Sequence, residues 1–323
     1  MTAANSMDQK SLFLGIDTSC YTSSAACVGA NKITSDKRVL LCVEKGNRGL
    51  RQSEALFQHV RNLESVVADT LQSIDKRFIR AVGVSICPSG RENSYMPVFL
   101  AGKTVAKSIA AALEVPVYEF THQQGHIRAA LFGNEELIGT NFFSFHLSGG
   151  TSELIHVSPS FELETIGGSS DINAGQLVDR LGVKMGLAFP AGKGLETLAG
   201  SYDGDEFVKL PSSVNGLHCS FSGIETKASA LIDAGIDKAE LAIAIYDCLA
   251  RTLSKLIVNA VCKYGTNVFL LAGGVASSDM LKKLLHRRLL GEKVDVHFAE
   301  PALSSDNAVG VALLACDAYN SER

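Results

Sequence analysis

The chain has 323 residues, 46% of them hydrophobic and 20% charged, with a net charge of −4. That much apolar material excludes a disordered or collagen-like chain and is enough for two cores, so two domains are expected. The acidic balance excludes a protein that grips nucleic acid by overall charge; a polynucleotide substrate would need a local basic patch or a partner. No apolar run approaches the roughly 20 residues of a membrane span, and the opening MTAANSMDQK lacks the basic-then-apolar order of a secretion signal. A cytoplasmic location with no membrane partner is the expectation. Eight scattered cysteines form no C-x-x-C pair and read as small buried residues in a reducing compartment.

In chain order, SLFLGIDTSCYTSSAACVGA (11–30) reads as strand, tight turn and strand, and KRVLLCVE (37–44) as a third strand. A long amphipathic helix follows at 53–74, then a strand at 80–87 and a helix at 98–113. The strand VPVYEF (115–120) leads into a helix beginning at Thr121. The pattern then restarts. NFFSFHLSGGTSELIHVS (141–158) is again strand–turn–strand, and FELETIGG (161–168) again a third strand. Helices are expected at 173–186, 223–235 and 237–265. After them come the strand and glycines of NVFLLAGGVA (267–276), a helix at 278–290, a strand at 293–299, and a closing helix from Asp306 to about Tyr319.

Strands alternating with helices define an α/β protein. Two halves with the same three-strand opening point to a duplicated actin/Hsp70/sugar-kinase-like fold, two-lobed, with a nucleotide cleft between the lobes. The expected division is 1–120 plus 307–323 as the first lobe and 121–306 as the second, the latter carrying most of the metal and nucleotide site. The turns DTSCYTSS and LSGGTSE would offer backbone N–H groups and hydroxyls to phosphate, although any one such turn equally fits plain turn chemistry. AGKT at 101–104 is not a phosphate loop: the first glycine of that motif would fall on Pro97, and the segment reads as continuous helix.

His122 and His126 stand four residues apart in THQQGH. Thr121 and Gln124 have the spacing of a capping box, which starts a helix there and places both rings on one face, suited to a shared metal ion. The positive helix end disfavours imidazolium and keeps the rings able to ligate. Two solvent-exposed histidines fit the spacing as well. An H-E-x-x-H protease is excluded, because Gln123 has no carboxylate to take a proton.

With GIDTSC, HQQGH, LSGGTSEL, AGQLVDR…FPAGKG, CSFSGIETK, AGGVASS and SSDNAVGVALLA in this order, the chain resembles the TsaD/Gcp/Kae family over nearly its whole length. These are the catalytic subunits of tRNA threonylcarbamoyladenosine synthesis. The resemblance implies the two-lobed fold and transfer of a threonylcarbamoyl group from threonylcarbamoyl-AMP to N6 of adenosine 37 in tRNA. It implies a divalent metal, iron or zinc, held by His122, His126 and Asp306. His146 takes the place of a tyrosine ligand found in archaeal and eukaryotic members; a fourth ligand and an ordinary strand histidine are equally open. Asp306 by itself would read as an N-cap of the last helix.

The same matching assigns the donor's phosphate and carbonyl to the backbone of His146, Leu147, Ser148, Gly149 and Gly150. It gives the ribose hydroxyls to Asp179 and a place against the nucleotide to Gly192. Ser278 stands at an adenosine-contacting asparagine position. Asp179 on its own would read as a surface carboxylate paired to Arg180 or Lys184. The adenine nucleotide would be threonylcarbamoyl-AMP, ATP or AMP. Expected partners are tRNA, a paralogous subunit and a small ATPase, with a homodimer as a further expectation. The chain departs from the family pattern at Tyr21 and Thr22, Thr151, Gln176, Glu225 and Ser278, which marks a divergent bacterial, clostridial-type paralogue subgroup. Two other functions therefore stay open: a non-catalytic nucleotide-binding scaffold, and an ATPase or small-molecule kinase in which Asp17 positions Mg²⁺ or water.

Overall fold

The computed structural model describes residues 10–19, 21–29, 32–43, 50–90 and 94–323; Cys20, the Glu44 end of the expected third strand and residues 91–93 lie outside them. The chain divides into one compact unit of Met1–Ala129 with Ser305–Arg323, and another of Ala130–Ser304.

In the first unit, β1 (Leu12–Asp17), β2 (Thr22–Gly29) and β3 (Lys32–Leu40) form an antiparallel meander, followed by α1 (Gln52–Leu71), β4 (Ile79–Cys87), α2 (Phe99–Leu113), β5 (Val117–Thr121) and α3 (His122–Ala130). The sheet order is β3-β2-β1-β4-β5, with β4 parallel to β1 and β5 parallel to β4. β1 is buried without alternation from Phe13 to Asp17, as a central strand covered on both faces must be. α1 buries Ala55, His59, Leu63, Val66 and Thr70, one helical face at three- and four-residue spacing. β3 begins at Lys32, five residues before the apolar run that suggested it. Its polar first half pairs with β2 at the sheet edge, where little apolar surface is demanded.

In the second unit, β6 (Phe142–Leu147), β7 (Ser152–Val157) and β8 (Leu163–Ser169) form the second meander. Then come α4 (Ala174–Lys184), α5 (Gly192–Gly200), β9 (Ser213–Asn215), β10 (His218–Ser220), α6 (Ser222–Asp233), α7 (Lys238–Tyr264), β11 (Val268–Ala272), α8 (Asp279–Leu289) and β12 (Asp295–Phe298). The sheet order is β12-β11-β6-β7-β8-β10-β9. Its β8-β7-β6-β11-β12 part repeats the order and strand directions of the first sheet, which makes the duplication a matter of topology. α5, β9 and β10 were not legible in the sequence. The first carries three glycines in nine residues, and the two strands are three residues each.

The last helix, α9 (Val309–Ser321), returns to the first unit, with every residue from Val309 to Cys316 buried. It crosses α3 so closely that a Cβ on Gly310 would lie 1.8 Å from the carbonyl oxygen of Gly125. The crossing is fastened by Arg128, whose Nε and Nη2 donate to the two carboxylate oxygens of Asp317 at 2.6 and 3.2 Å. The division of the chain falls at 129/130 and 304/305, where 120/121 and 306/307 were expected. His122, His126 and Asp306 all belong to the first unit. The cysteine expectation holds in part: Cys27, Cys219, Cys248 and Cys316 are buried and unpaired, whereas Cys42 and Cys262 are exposed.

Gly310→Ala would force helix backbone apart, so a loss of about 2–3 kcal/mol is expected. Urea unfolding of wild type and variant measures it; an unchanged midpoint would refute the tight crossing.

Candidate metal centre and nucleotide loops

The capping box at Thr121 forms in full: Gln124 Oε1 accepts from the Thr121 N–H at 2.8 Å, and Thr121 Oγ1 accepts from the Gln124 N–H at 3.1 Å. α3 therefore starts at His122 and stacks its ring edge-on against His126, with centroids 4.2 Å apart. Asp306 reaches both from the other side of the crossing, its Oδ1 lying 3.5 Å from His122 Nε2 and 3.3 Å from His126 Nε2. Asp306 does not cap α9. Asn307 takes that duty, its Oδ1 accepting from the N–H groups of Val309 and Gly310 at 3.0 and 3.3 Å, which leaves the Asp306 carboxylate for the histidines.

Asp17, at the end of β1 and fully buried, stands behind His122. Its Oδ2 lies 2.9 Å from His122 Nδ1, while Oδ1 accepts from the Ser19 N–H at 2.8 Å and from the Ser19 hydroxyl. Burial alone would raise Asp17, but the charge and hydrogen bond of His122 outweigh it and hold the carboxyl below its ordinary range. An ionised Asp17 can only accept, so Nδ1 carries a proton and Nε2 is the ring atom that faces Asp306. Burial and the neighbouring His122 push His126 below the usual histidine range, against the pull of Asp306, so it is neutral at pH 7. For Asp306 burial again acts upward, and the two histidines overcome it and keep the carboxylate ionised.

One donor atom from each of His122, His126 and Asp306 lies within 4.8 Å of the others. Two imidazoles and one carboxylate, with a second carboxylate hydrogen-bonded behind one ring, are a donor set that fits a divalent transition metal. Surface histidines would need none of this burial or buttressing. Asp17 thus stands directly behind the candidate ligand set, whereas the sequence offers it only as a residue positioning Mg²⁺ or water in a kinase.

The second unit carries the other expected residues. β6 ends in buried His146 and Leu147 and opens into Ser148–Gly149–Gly150, where both glycines are exposed with open space beside them. The turn is closed by the Ser148 N–H donating to Thr151 O at 2.8 Å and the Thr151 N–H donating to Ser148 Oγ at 3.1 Å. α4 begins directly beneath it. The Gly175 N–H donates to Ser148 O at 3.1 Å, and a Cβ there would sit 2.5 Å from Gly149 N, so only glycine brings the helix N-terminus this near the loop. The turn after β11 joins them, with the Val275 N–H donating to Leu147 O at 3.1 Å.

Asp179 is not paired to Arg180 or Lys184, which bind Glu225 and Asp233 at 3.2 and 2.7 Å. Its Oδ1 accepts from the Ala191 N–H at 2.8 Å, beside Gly192, and burial pushes its carboxyl up. Ser278 caps α8 and also donates to Glu196 Oε1 at 2.8 Å, an oxygen that the Met280 N–H reaches at 2.8 Å as well. Tyr246 adds a hydrogen bond to Gly192 O at 3.2 Å. Glu196, Tyr246 and Asp171 were missed in the sequence. Asp171 ties the segment after β8 to the S-F-S-G turn that starts α6, accepting from the N–H groups of Phe221 and Ser222 at 2.8 and 3.0 Å and from the Ser220 hydroxyl. Burial acts upward on it, and these donors hold it well below the usual carboxylate range.

Two like-ordered sheets and a buttressed His–His–Asp set define the class: an α/β protein of the actin/sugar-kinase type carrying a metal-suited centre. Solved structures agree on the fold. HypF from T. kodakarensis matches with TM-score 0.61 at 13% identity, over 98% of this chain and 48% of that one. Component A of the Acidaminococcus fermentans (R)-2-hydroxyglutaryl-CoA dehydratase gives 0.58 at 15%, over 96% and 99%. A sugar-kinase relative, the ROK family glucokinase of Streptomyces griseus, gives 0.54 at 16%, over 95% and 99%.

The chain belongs to the TsaD family, tRNA N6-adenosine threonylcarbamoyltransferase, whose model matches residues 30–313. It is 30% identical over 308 residues to the tRNA N6-adenosine threonylcarbamoyltransferase of Thermus thermophilus, covering 94% of this chain and 91% of that protein. To the enzyme of the same name from Neorickettsia sennetsu it is 27% identical over 314 residues, covering 95% and 93%. Among the described residues no helix is long and apolar enough to cross a membrane.

Asp17→Asn should leave the fold intact and weaken metal binding roughly 10- to 100-fold; chelator competition with zinc or ferrous ion reads this out. Asp171→Asn should cost about 1 kcal/mol of stability, the worth of a helix-end acceptor. Because the native carboxyl is depressed below its ordinary 3.8, the gap should be full above roughly pH 5 and shrink as the pH falls below that value. Denaturant melts across pH 3–7 test the sign.

Proposed function

We propose that the chain transfers a threonylcarbamoyl group from threonylcarbamoyl-AMP to N6 of adenosine 37 in tRNA, using a divalent metal, iron or zinc. The observation that carries the reading is the His122–His126–Asp306 set with Asp17 behind it, in a chain of this family. When bound, such an ion supplies Lewis acidity and a fixed point for oxygen ligands of the donor. The chain's own residues prepare the rest. Asp17 accepts from His122 Nδ1, and burial keeps His126 neutral.

In the second unit, the exposed Gly149 and Gly150 amides above the α4 N-terminus suit a phosphate and the developing negative charge of the attacked carbonyl. Asp179 and Gly192 are the ribose-side residues of this reading, with Ser278 and Glu196 beside them and His146 at the base of the loop. The adenine amine attacks the carbamoyl carbon, the carbon–oxygen bond to phosphate breaks, AMP leaves and the amine's proton passes to solvent. No side-chain nucleophile is needed. A paralogous subunit and a small ATPase are the proposed partners, with a homodimer as the alternative assembly, all cytoplasmic.

A scaffold reading is favoured by two observations. Ser278 spends its hydroxyl on Glu196, and Glu225 is neutralised by Arg180, so two altered positions are occupied within the chain. A kinase reading has less support, because both oxygens of Asp17 are already engaged by Ser19 and His122.

Reconstitution with the partner subunits, ATP, threonine, bicarbonate and tRNA should yield the modified nucleoside by mass spectrometry. His122→Ala should lower the yield at least about 100-fold, the scale expected on losing a metal-bound charge stabiliser. Metal-loaded protein that gives no product would favour the scaffold.

A further inference from the structure

α8 presents an unusual surface for an acidic chain. Its sequence DMLKKLLHRRL buries Leu281, Leu285 and Leu289 against the core of the second unit. Outward it shows Lys282, Lys283, His286 and Arg287, which with Leu290 and Phe298 line an open groove of about 540 Å³. The Lys282 ammonium lies 5.5 Å from the Phe298 ring centre.

Many cations elsewhere on this protein are matched by carboxylates: Arg38 by Asp36, Arg77 by Asp75, Lys103 and Lys107 by Glu119, and Arg180 by Glu225. Even the neighbouring Arg288 turns inward to Asp247. On the groove, Lys282 has a long contact of 3.4 Å to Asp279, and no carboxylate within salt-bridge distance is seen for Lys283, His286 or Arg287 among the described residues.

Lys283 and Arg287 stand at i and i+4, a like-charge spacing that costs a helix stability. The helix dipole rewards cations in the last turn, but Lys282 and Lys283 lie in the N-terminal half, where it does not. The fold thus keeps a repulsive cationic row that its own chemistry leaves uncompensated.

We infer that this face of α8 is a docking surface for the sugar–phosphate backbone of the substrate RNA, a deepening that rests on the tRNA reading above. Lys283 and Arg287 neutralise phosphates, and Phe298 floors the groove with an aromatic face for ribose or an unstacked base. Such contacts position the RNA without reading its sequence. The placement suits that work, because α8 starts at Ser278 in the nucleotide-side cluster and the cations begin one turn further along the same helix. An anionic bilayer fits less well: the apolar face that would enter lipid, Leu281–Leu285–Leu289, is already buried.

The test compares full-length wild type with Lys283→Glu/Arg287→Glu and with Lys283→Ala/Arg287→Ala. Binding of an unmodified tRNA transcript is followed by fluorescence anisotropy from 50 to 200 mM salt. Both variants should bind roughly tenfold or more weakly at the low-salt end, and the log–log salt slope should drop by about 1.5–2, two phosphate contacts' worth. Their melting temperatures and zinc content should equal wild type's, and the alanine pair guards against misfolding of the reversed one.

Unchanged tRNA affinity and slope in folded variants, with wild type still binding, would overturn the surface while leaving the transferase reading standing. A wild type that neither binds the transcript nor modifies it in the reconstituted complex would overturn both. If the substitutions instead abolish binding to phosphatidylserine vesicles or to an acidic peptide and spare tRNA, the occupant named here is wrong.

Discussion

The first unit is organised around one close approach, the crossing of α3 and α9 at Gly125 and Gly310. With no Cβ on either residue the two backbones come to van der Waals contact, and the Arg128–Asp317 fork fixes their angle. The His122–His126–Asp306 cluster follows from it. The first two turns of α3 supply the two imidazoles, and the segment just before α9 supplies Asp306, 180 residues after His126 in the chain. β1, packed on the same helix, ends at Asp17 and completes the set from a third element. Small residues at the crossing therefore serve chemistry by letting three elements converge where larger side chains would keep them apart.

Electrostatics then decides the protonation states that packing makes available. Each carboxylate of the centre is taken out of water, which by itself favours its neutral form, and each is brought back to its ionised form by imidazole. His126 is driven the other way, toward neutrality. The result is two buried carboxylates whose charge is compensated by the imidazole groups between them, a pairing that burial of a charge requires. In the second unit a different economy operates. There the glycine-rich turns and helix N-termini present backbone groups, while Asp179, Glu196 and Ser278 are tied to neighbouring N–H or O–H groups within the chain.

These ties bear on the positions where the sequence reading finds departures from the family pattern. Ser278 is a helix cap and a partner of Glu196, and Glu225 is a partner of Arg180, so both substitutions are integrated into local structure. Thr151, Gln176, Glu225 and Ser278 lie in the second unit, whereas Tyr21 and Thr22 share the first with His122, His126 and Asp306. Gln176 has a clear role of its own, since its side chain closes the box at the start of α4 by accepting from the Asn173 N–H at 3.2 Å. For Thr151 the structure shows only its part in closing the loop.

Periodicity alone determined the α/β class, the repeated three-strand opening and most helices, because central strands and amphipathic helices write their burial directly into apolar spacing. The start of α3 was legible too, since a capping box is a local contract between residues 121 and 124. The histidine pair was legible as a candidate but not as a centre. Only the tertiary structure decided that Asn307, not Asp306, caps α9, and that Asp17 buttresses His122. It alone showed that Asp179 faces Ala191 and not its helical neighbours, and that α5, β9 and β10 exist at all. Apart from the local cap by Asn307, the partner is distant in sequence or the element too short to show a period. Which polar group a carboxylate meets is fixed by the packing of backbones, and no residue spacing records it.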